Sequence, residues 1–238
     1  MPSVARALLD EVWQAVLPQR CIVCGDWGAA LHDACLAALP EAGGARCDRC
    51  WRPLDALEVR ADVGLCARCA EGGAPAFEGL RTPFRFEGLA RRAILEAKFR
   101  GVTAHLGPLG RAAAAVVPRG WGVEAVVPVP LWGARERHRG FNQAREAARS
   151  VAEILDLPVG DRLVHRVRET TPQASLDAAA RAGNLRDAFL VPAGARVPAR
   201  MLVVDDVTTT GSTLAAVAEA LLAGGARHVF ALAIARED

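Results

Sequence analysis

Two adjacent acids, Asp205 and Asp206, stand just before a hydroxyl-rich run, Thr208-Thr209-Thr210-Gly211-Ser212-Thr213. Ahead of them Met201-Leu202-Val203-Val204 is apolar, as a central parallel strand is. The order predicts a buried strand, acids emerging at its carboxyl end, a small-residue loop, and a helix over 212–222. Such a loop at a helix N-terminus suits a phosphate monoester, because unpaired N–H groups and the helix dipole both favour an anion. The acids can accept hydrogen bonds from sugar hydroxyls. Phosphate together with vicinal hydroxyls describes a ribose 5-phosphate. A Walker-type loop fits less well, because no Lys follows Gly211. The plain alternative is an αβ turn capped by Thr and Ser.

A second chemistry comes from sulfur. All seven cysteines fall between Cys21 and Cys69, as Cys21-x-x-Cys24, a single Cys35, Cys47-x-x-Cys50 and Cys66-x-x-Cys69. Pairs two residues apart suit tetrahedral zinc, since one turn offers two thiolates. The spacing between Cys50 and Cys66 is that of a zinc ribbon. His32, three residues before Cys35, completes the other set. Two structural zinc sites are expected: Cys21, Cys24, His32 and Cys35, and Cys47, Cys50, Cys66 and Cys69. Four protein ligands leave no open position for water, which argues against a catalytic metal. Disulfides and redox Cys-x-x-Cys pairs are the alternatives, and a reducing compartment disfavours the first.

The elements that must position these groups alternate. Strands are expected over 80–86, 123–127, 163–167, 187–191, 201–204 and 227–235. Helices are expected over 89–99, 104–117, 141–155 and 212–222. Strands and helices in turn imply an α/β fold, a mostly parallel sheet flanked by helices, with ligands at the strands' carboxyl ends. Gly72-Gly73-Ala74-Pro75 reads as a linker. It divides an N-terminal helix and double zinc-ribbon domain, 1–75, from an α/β domain, 76–238.

Another strand end, Val126-Val127-Pro128-Val129-Pro130, is stiffened by its prolines. Arg135, Arg137 and Arg139 follow, before a helix N-terminus. Arginine suits multidentate contact with phosphate oxygens. The long polar stretch from Arg166 to Leu185 reads as a lid, or else as a surface hairpin.

Charge is uneven. Residues 1–80 carry seven Arg against eleven acids, a net −4, whereas 81–111 carry six Arg and Lys98 against two acids, a net +5. The middle therefore suits anionic ligands. No run of 18 apolar residues occurs, so no membrane span is expected. The N-terminus reads as an amphipathic helix and not a signal peptide, which makes the cytoplasm the expected compartment.

The Asp205–Thr213 run resembles the phosphoribosyl-pyrophosphate signature of type I phosphoribosyltransferases. With Lys98-Phe99-Arg100-Gly101, Val127-Pro128-Val129-Pro130, Arg139-Gly140-Phe141-Asn142-Gln143, Thr171-x-Gln173, Arg181-x-x-Asn184 and the paired cysteines, the order resembles the ComF family, which includes competence proteins of the ComFC type and GntX-type proteins. One departure is His32, where that family usually has Cys. The resemblance implies a phosphoribosyltransferase-type domain that binds phosphoribosyl pyrophosphate (PRPP) with magnesium. Thr208, Thr209, Thr210, Gly211, Ser212 and Thr213 would hold the 5-phosphate. Asp205 and Asp206, as catalytic residues, would face the ribose hydroxyls. Pro128, with Arg135, Arg137 or Arg139, would hold pyrophosphate. Thr209 stands where purine-type members often carry an acid, which points away from a purine acceptor and toward an amine or ammonia.

The resemblance also implies a link to DNA uptake, with single-stranded DNA and a competence helicase as candidate partners. Against a DNA role, aromatics are only 5% and Tyr is absent, so base-stacking platforms are few. Two further readings stand beside it. One is an active phosphoribosyltransferase of nucleotide or amine metabolism with no DNA role. The other is a PRPP sensor or single-stranded-DNA binder without turnover. The sequence leaves open the acceptor and a homo-oligomeric state.

Overall fold

The computed structural model describes residues 19–54, 64–168, 185 and 187–238. The expected N-terminal helix, most of the expected lid, Thr171-x-Gln173 and Arg181-x-x-Asn184 lie outside the described residues.

The described chain divides into two compact units, Met1–Leu39 and Pro40–Asp238. In the first, the short helix α1, Asp33–Ala37, follows His32. In the second, α2, Ala67–Ala70, starts at Cys66. The remaining elements are β1, Leu80–Arg81; β2, Phe84–Arg85; α3, Gly88–Arg100; α4, Leu106–Ala115; β3, Ala125–Pro128; α5, Gly133–Arg139; α6, Gln143–Leu155; β4, His165–Arg166; β5, Phe189–Leu190; β6, Arg200–Thr208; α7, Ser212–Ala223; and β7, His228–Arg236.

The fold is α/β, with a mostly parallel central sheet flanked by helices. β7 pairs with β1 and β2 on one side and β6 on the other, and β6 pairs with β3, all in parallel. β4 and β5 form a separate antiparallel pair. Met201 to Val204 and Val229 to Ala235 are buried, as continuous apolar runs in a parallel sheet must be when both faces are covered. α6 buries Ala144, Ala147, Ala148, Val151 and Ala152, an i, i+3, i+4 stripe. It packs closely on α4 because Gly110 has no side chain: a Cβ there would lie 2.8 Å from the Ser150 Cβ and 3.0 Å from the Ala147 carbonyl.

Two differences from the sequence expectation matter for function. The expected strand over 201–204 continues to Thr208, because β7 offers pairing partners that far, with Asp205 opposite Ala233 and Thr208 opposite Arg236. The two acids therefore sit on a strand and do not open a loop. The arginine-rich segment before α6 is itself a helix, α5, built from Ala, Arg and Glu, which are good helix formers.

Asn142 ties the start of α6 to the segment just after β3. Its side-chain oxygen accepts from Ala144 N–H at 3.0 Å, and its amide donates to the Val129 carbonyl at 3.0 Å. It is 1% exposed. Asn142→Ala removes a cap and strands a buried carbonyl. It should destabilise the protein by about 2–3 kcal/mol, read as a lower urea midpoint with an unchanged slope.

Candidate functional site

The cysteines gather in three dimensions as their spacing predicts. In each cluster one ligand atom from every residue lies within 4.8 Å of the others. In the first unit the Cys24 sulfur is 3.4 Å from His32 Nδ1, and His32 Nε2 is 3.3 Å from the Trp27 carbonyl. A carbonyl can only accept, so Nε2–H donates to it and Nδ1 is left as the metal-facing nitrogen, the usual orienting contact of a metal-bound imidazole. In the second unit the Cys50 and Cys66 sulfurs are 3.7 Å apart. Zn–S bonds of about 2.3 Å in a tetrahedron require about 3.8 Å between sulfurs. Both donor sets fit structural zinc.

The electrostatics of the thiols favour a bound cation. Burial would raise the Cys47 thiol, but N–H donors from Cys50, Cys66 and Arg49 outweigh it and bring the thiol down to about 7. Cys50 is pushed up to about 11 by burial and then by the Cys47 thiolate. Once one sulfur ionises, its neighbours resist, and a divalent metal removes that conflict.

The second cysteine cluster belongs to the same compact unit as the sheet. Arg236, at the end of β7, donates to the Cys50 carbonyl at 2.9 Å and to Asp238 at 3.1 Å. Arg46 grips the same Asp238 carboxylate with two nitrogens, at 3.0 and 2.7 Å. The Trp51 indole donates to the Thr82 carbonyl at 3.1 Å, and Arg81 pairs with Asp48 at 3.2 Å. Arg49 ties the Gly72–Pro75 stretch down through the Pro75 carbonyl, at 3.1 Å.

The acids and the hydroxyl-rich loop meet in a cleft of about 340 Å³ at the carboxyl ends of β2, β6 and β7. Asp205, Asp206, Thr208, Thr209, Gly211, Ser212 and Thr213 line it. Gly211 turns the chain from β6 into α7 with φ +78°, and a Cβ there would stand 3.3 Å from the Phe77 ring. The positive φ favours glycine, and a side chain there would also press on the Phe77 ring. The Thr210 and Ser212 hydroxyls hydrogen-bond at 2.7 Å. The Asp206 N–H donates to Asp205 Oδ1 at 2.8 Å, and the Val207 N–H to Asp206 Oδ1 at 2.8 Å. One oxygen of each carboxylate is held by the backbone, which orients the other.

Lys98, from α3, lies 4.0 Å from Asp206 Oδ2. Its alignment with the acids is a product of the fold, for no local spacing connects residues so far apart. Burial and then the neighbouring Asp206 charge push the Asp205 carboxyl well above the ordinary carboxylate range, with Lys98 opposing. Above the ordinary carboxylate pKa and below the raised one, the folded protein keeps a proton that the unfolded chain releases. Stability therefore falls as pH rises through that window. Asp205→Asn should raise the melting temperature at pH 7, with the gain shrinking toward pH 4; thermal melts across that range check it.

A second cavity, of about 440 Å³, adjoins the first through Lys98 and Phe99. Arg100, Arg135, His138, Arg139 and Phe141 also line it. Arg135 and Arg139 are four residues apart on α5 and share a face. Arg137 is exposed and is not among the lining residues, nor is Pro128, which is buried at the end of β3. Burial lowers the Arg139 guanidinium from its ordinary range, against the favourable field of Asp206. Arg139 also donates to Gln143 at 3.3 Å. Of the three candidate arginines, the structure thus gathers two beside Lys98. Phe86, Leu95, Phe99 and Glu237 line the first cleft too. Their positions carry no sequence signal beyond the Lys98-Phe99-Arg100-Gly101 string.

Among the described residues no helix is long and apolar enough to cross a membrane.

No family model matches the chain. It is 39% identical over 109 residues to the DNA utilization protein YhgH of Salmonella typhi, covering 44% of this chain and 46% of that protein. It is 38% identical over 115 residues to competence protein F of Haemophilus influenzae, covering 48% and 50%. It is 31% identical over 111 residues to competence protein ComFC of Streptococcus pneumoniae, covering 46% and 47%. The chain spans about half the length of the curated relatives it matches. Over about half of its length, then, the chain is similar to proteins named for competence and for DNA utilization, and its own two cysteine clusters fit zinc.

Proposed function

We propose that the cleft binds phosphoribosyl pyrophosphate with magnesium and that the protein transfers the phosphoribosyl group to a nitrogen acceptor. The observation that carries this reading is the meeting, in one cleft, of an anion-suited loop at a helix N-terminus with two oriented carboxylates. The loop from Thr208 to Thr213 takes the 5-phosphate. The outward oxygens of Asp205 and Asp206 accept the ribose hydroxyls. Lys98, Arg135 and Arg139 stabilise the negative charge that develops on departing pyrophosphate, in a site where burial strengthens such contacts. Catalysis on this account is mainly positioning and charge stabilisation. Titration calorimetry of the zinc-loaded protein with PRPP and magnesium should give saturable binding, with ribose 5-phosphate competing. Absence of heat and of competition in a folded protein overturns the reading.

A DNA-handling role is a second reading, favoured by the relatives' names and by the cationic cavity. Lys98, Arg100, Arg135 and Arg139 surround it with no acid among its lining residues, and Phe99 beside them is 73% exposed. Cations with an exposed ring suit single-stranded DNA. Affinity for an oligonucleotide should fall steeply with salt. No binding at low salt excludes this reading.

A further inference from the structure

The hydroxyl-rich loop is reached from the second cysteine cluster by two routes, both within the compact unit Pro40–Asp238. The first runs through Arg236, which is 7% exposed. Its guanidinium donates to the Cys50 carbonyl at 2.9 Å. Its backbone stands opposite Thr208, where the loop begins, and the next N–H, that of Glu237, donates to the Thr208 carbonyl at 2.9 Å. The second route runs through Arg49, between Cys47 and Cys50, which donates to the Pro75 carbonyl at 3.1 Å. Two residues on, the buried Phe77 lies against Gly211, where a Cβ would stand 3.3 Å from its ring. One knuckle thus braces the loop at its first residue and at the glycine that turns it into α7.

The knuckle is held in a conformation that local forces do not favour. Trp51, directly after Cys50, has φ +60°, in the left-handed region that a bulky side chain rarely adopts. That angle sets the plane of the Cys50–Trp51 peptide, and so the direction of the carbonyl that Arg236 meets. Such strain persists only where the surroundings over-determine it. Here the indole donates to the Thr82 carbonyl at 3.1 Å, and the Cys50 sulfur sits 3.7 Å from that of Cys66, as two ligands of one zinc do. Without a shared metal the Cys50 sulfur is released and the peptide can turn. The nearly buried Arg236 guanidinium then loses an acceptor, a costly state that the end of β7 relieves by shifting. We propose that Arg49 and Arg236 are positioning residues that couple the second metal cluster to the anion-suited loop, so that zinc occupancy and phosphate affinity rise and fall together. This rests on the phosphoribosyl reading for its ligand and adds regulation to that same site. Linkage makes the coupling reciprocal: if bound zinc raises the affinity for a phosphate ligand about tenfold, that ligand raises the affinity for zinc by the same factor. The first cluster, in the unit Met1–Leu39, takes no part in these contacts and is the internal control.

Two equilibrium measurements on the full chain test this. Calorimetry gives the affinity of the zinc-loaded protein for ribose 5-phosphate with magnesium. Competition with a chromogenic chelator gives the zinc affinity with and without saturating ribose 5-phosphate, and the binding step missing from Cys66→Ser reports the second cluster. In wild type the ligand should tighten zinc at the second cluster about tenfold and leave the first unchanged. Arg236→Met should bind ribose 5-phosphate about tenfold more weakly, and at saturation the ligand should tighten its zinc less than about twofold. Arg49→Met tests the other route in the same way, and stands in if Arg236→Met gives no cooperative melt. A ligand that merely stabilises the fold would tighten zinc in the variants as much as in wild type. That result, or no tightening in a wild type that binds ribose 5-phosphate, overturns the coupling and leaves the donor reading standing. Failure of wild type to bind ribose 5-phosphate and PRPP removes both.

Discussion

Replacing both acids, Asp205→Asn with Asp206→Asn, should lower the affinity for PRPP by about 100-fold or more, since a charge-assisted hydrogen bond at Asp206 and a fixed acceptor at Asp205 are both lost. The geometry explains the size of the effect. One oxygen of each carboxylate is already held by a backbone N–H at 2.8 Å, so the other is fixed in direction before any ligand arrives. An asparagine of the same shape can keep the backbone contact but presents a weaker acceptor, or a donor, to the sugar. Lys98 at 4.0 Å from Asp206 would lose its counter-charge at the same time. Calorimetry reads the loss directly. The melting temperature should move the other way, upward at neutral pH, because folding must take up a proton at Asp205 that the unfolded chain has released. A variant that is at least as stable as wild type and does not bind PRPP separates a functional role from a structural one. Retained binding would show that the cleft's acids do not face the sugar.

Removal of zinc from the Cys47, Cys50, Cys66 and Cys69 cluster should destabilise the whole unit Pro40–Asp238. A structural zinc contributes about 10–16 kcal/mol of apparent binding energy in zinc-finger peptides, so loss of one thiolate through Cys66→Ser should cost several kcal/mol. The cluster is not an isolated knuckle. Arg236 connects its Cys50 carbonyl to the last residues of β7, and Arg46 reaches from beside Cys47 to Asp238. Unfolding there frees two nearly buried guanidinium groups from their partners, at the carboxyl end of β7. Metal analysis should find two zinc ions per wild-type chain and one in Cys66→Ser, with a markedly lower melting temperature in the variant. A chelator should act likewise. Acid should too, since protons compete with zinc for the thiolates and the metal's affinity falls with pH. An unchanged melting temperature after loss of one zinc would make this cluster dispensable to the fold.

What the sequence determined by itself was set by short spacings. Cys-x-x-Cys pairs, and His32 three residues from Cys35, bring ligands together within one turn of chain, so both clusters could be read before any fold was known. The run from Met201 to Val204 declared a buried strand, and Thr208 to Thr213 declared the turn into α7, because burial and turn chemistry act on neighbours. Strand and helix alternation declared the α/β class for the same reason. What only the tertiary structure decided depends on register and on which faces meet. Asp205 and Asp206 lie on β6 because β7 pairs with it as far as Thr208. Arg135 and Arg139 separate from Arg137 because the segment is a helix, and a helix sorts every fourth residue onto one face. Lys98 meets Asp206 only because α3 crosses the strand ends. The wall of Phe86, Leu95 and Phe99 was invisible for a related reason: in a linear pattern an exposed phenylalanine and a core phenylalanine look alike. The distinction is one of exposure, and exposure belongs to the folded chain.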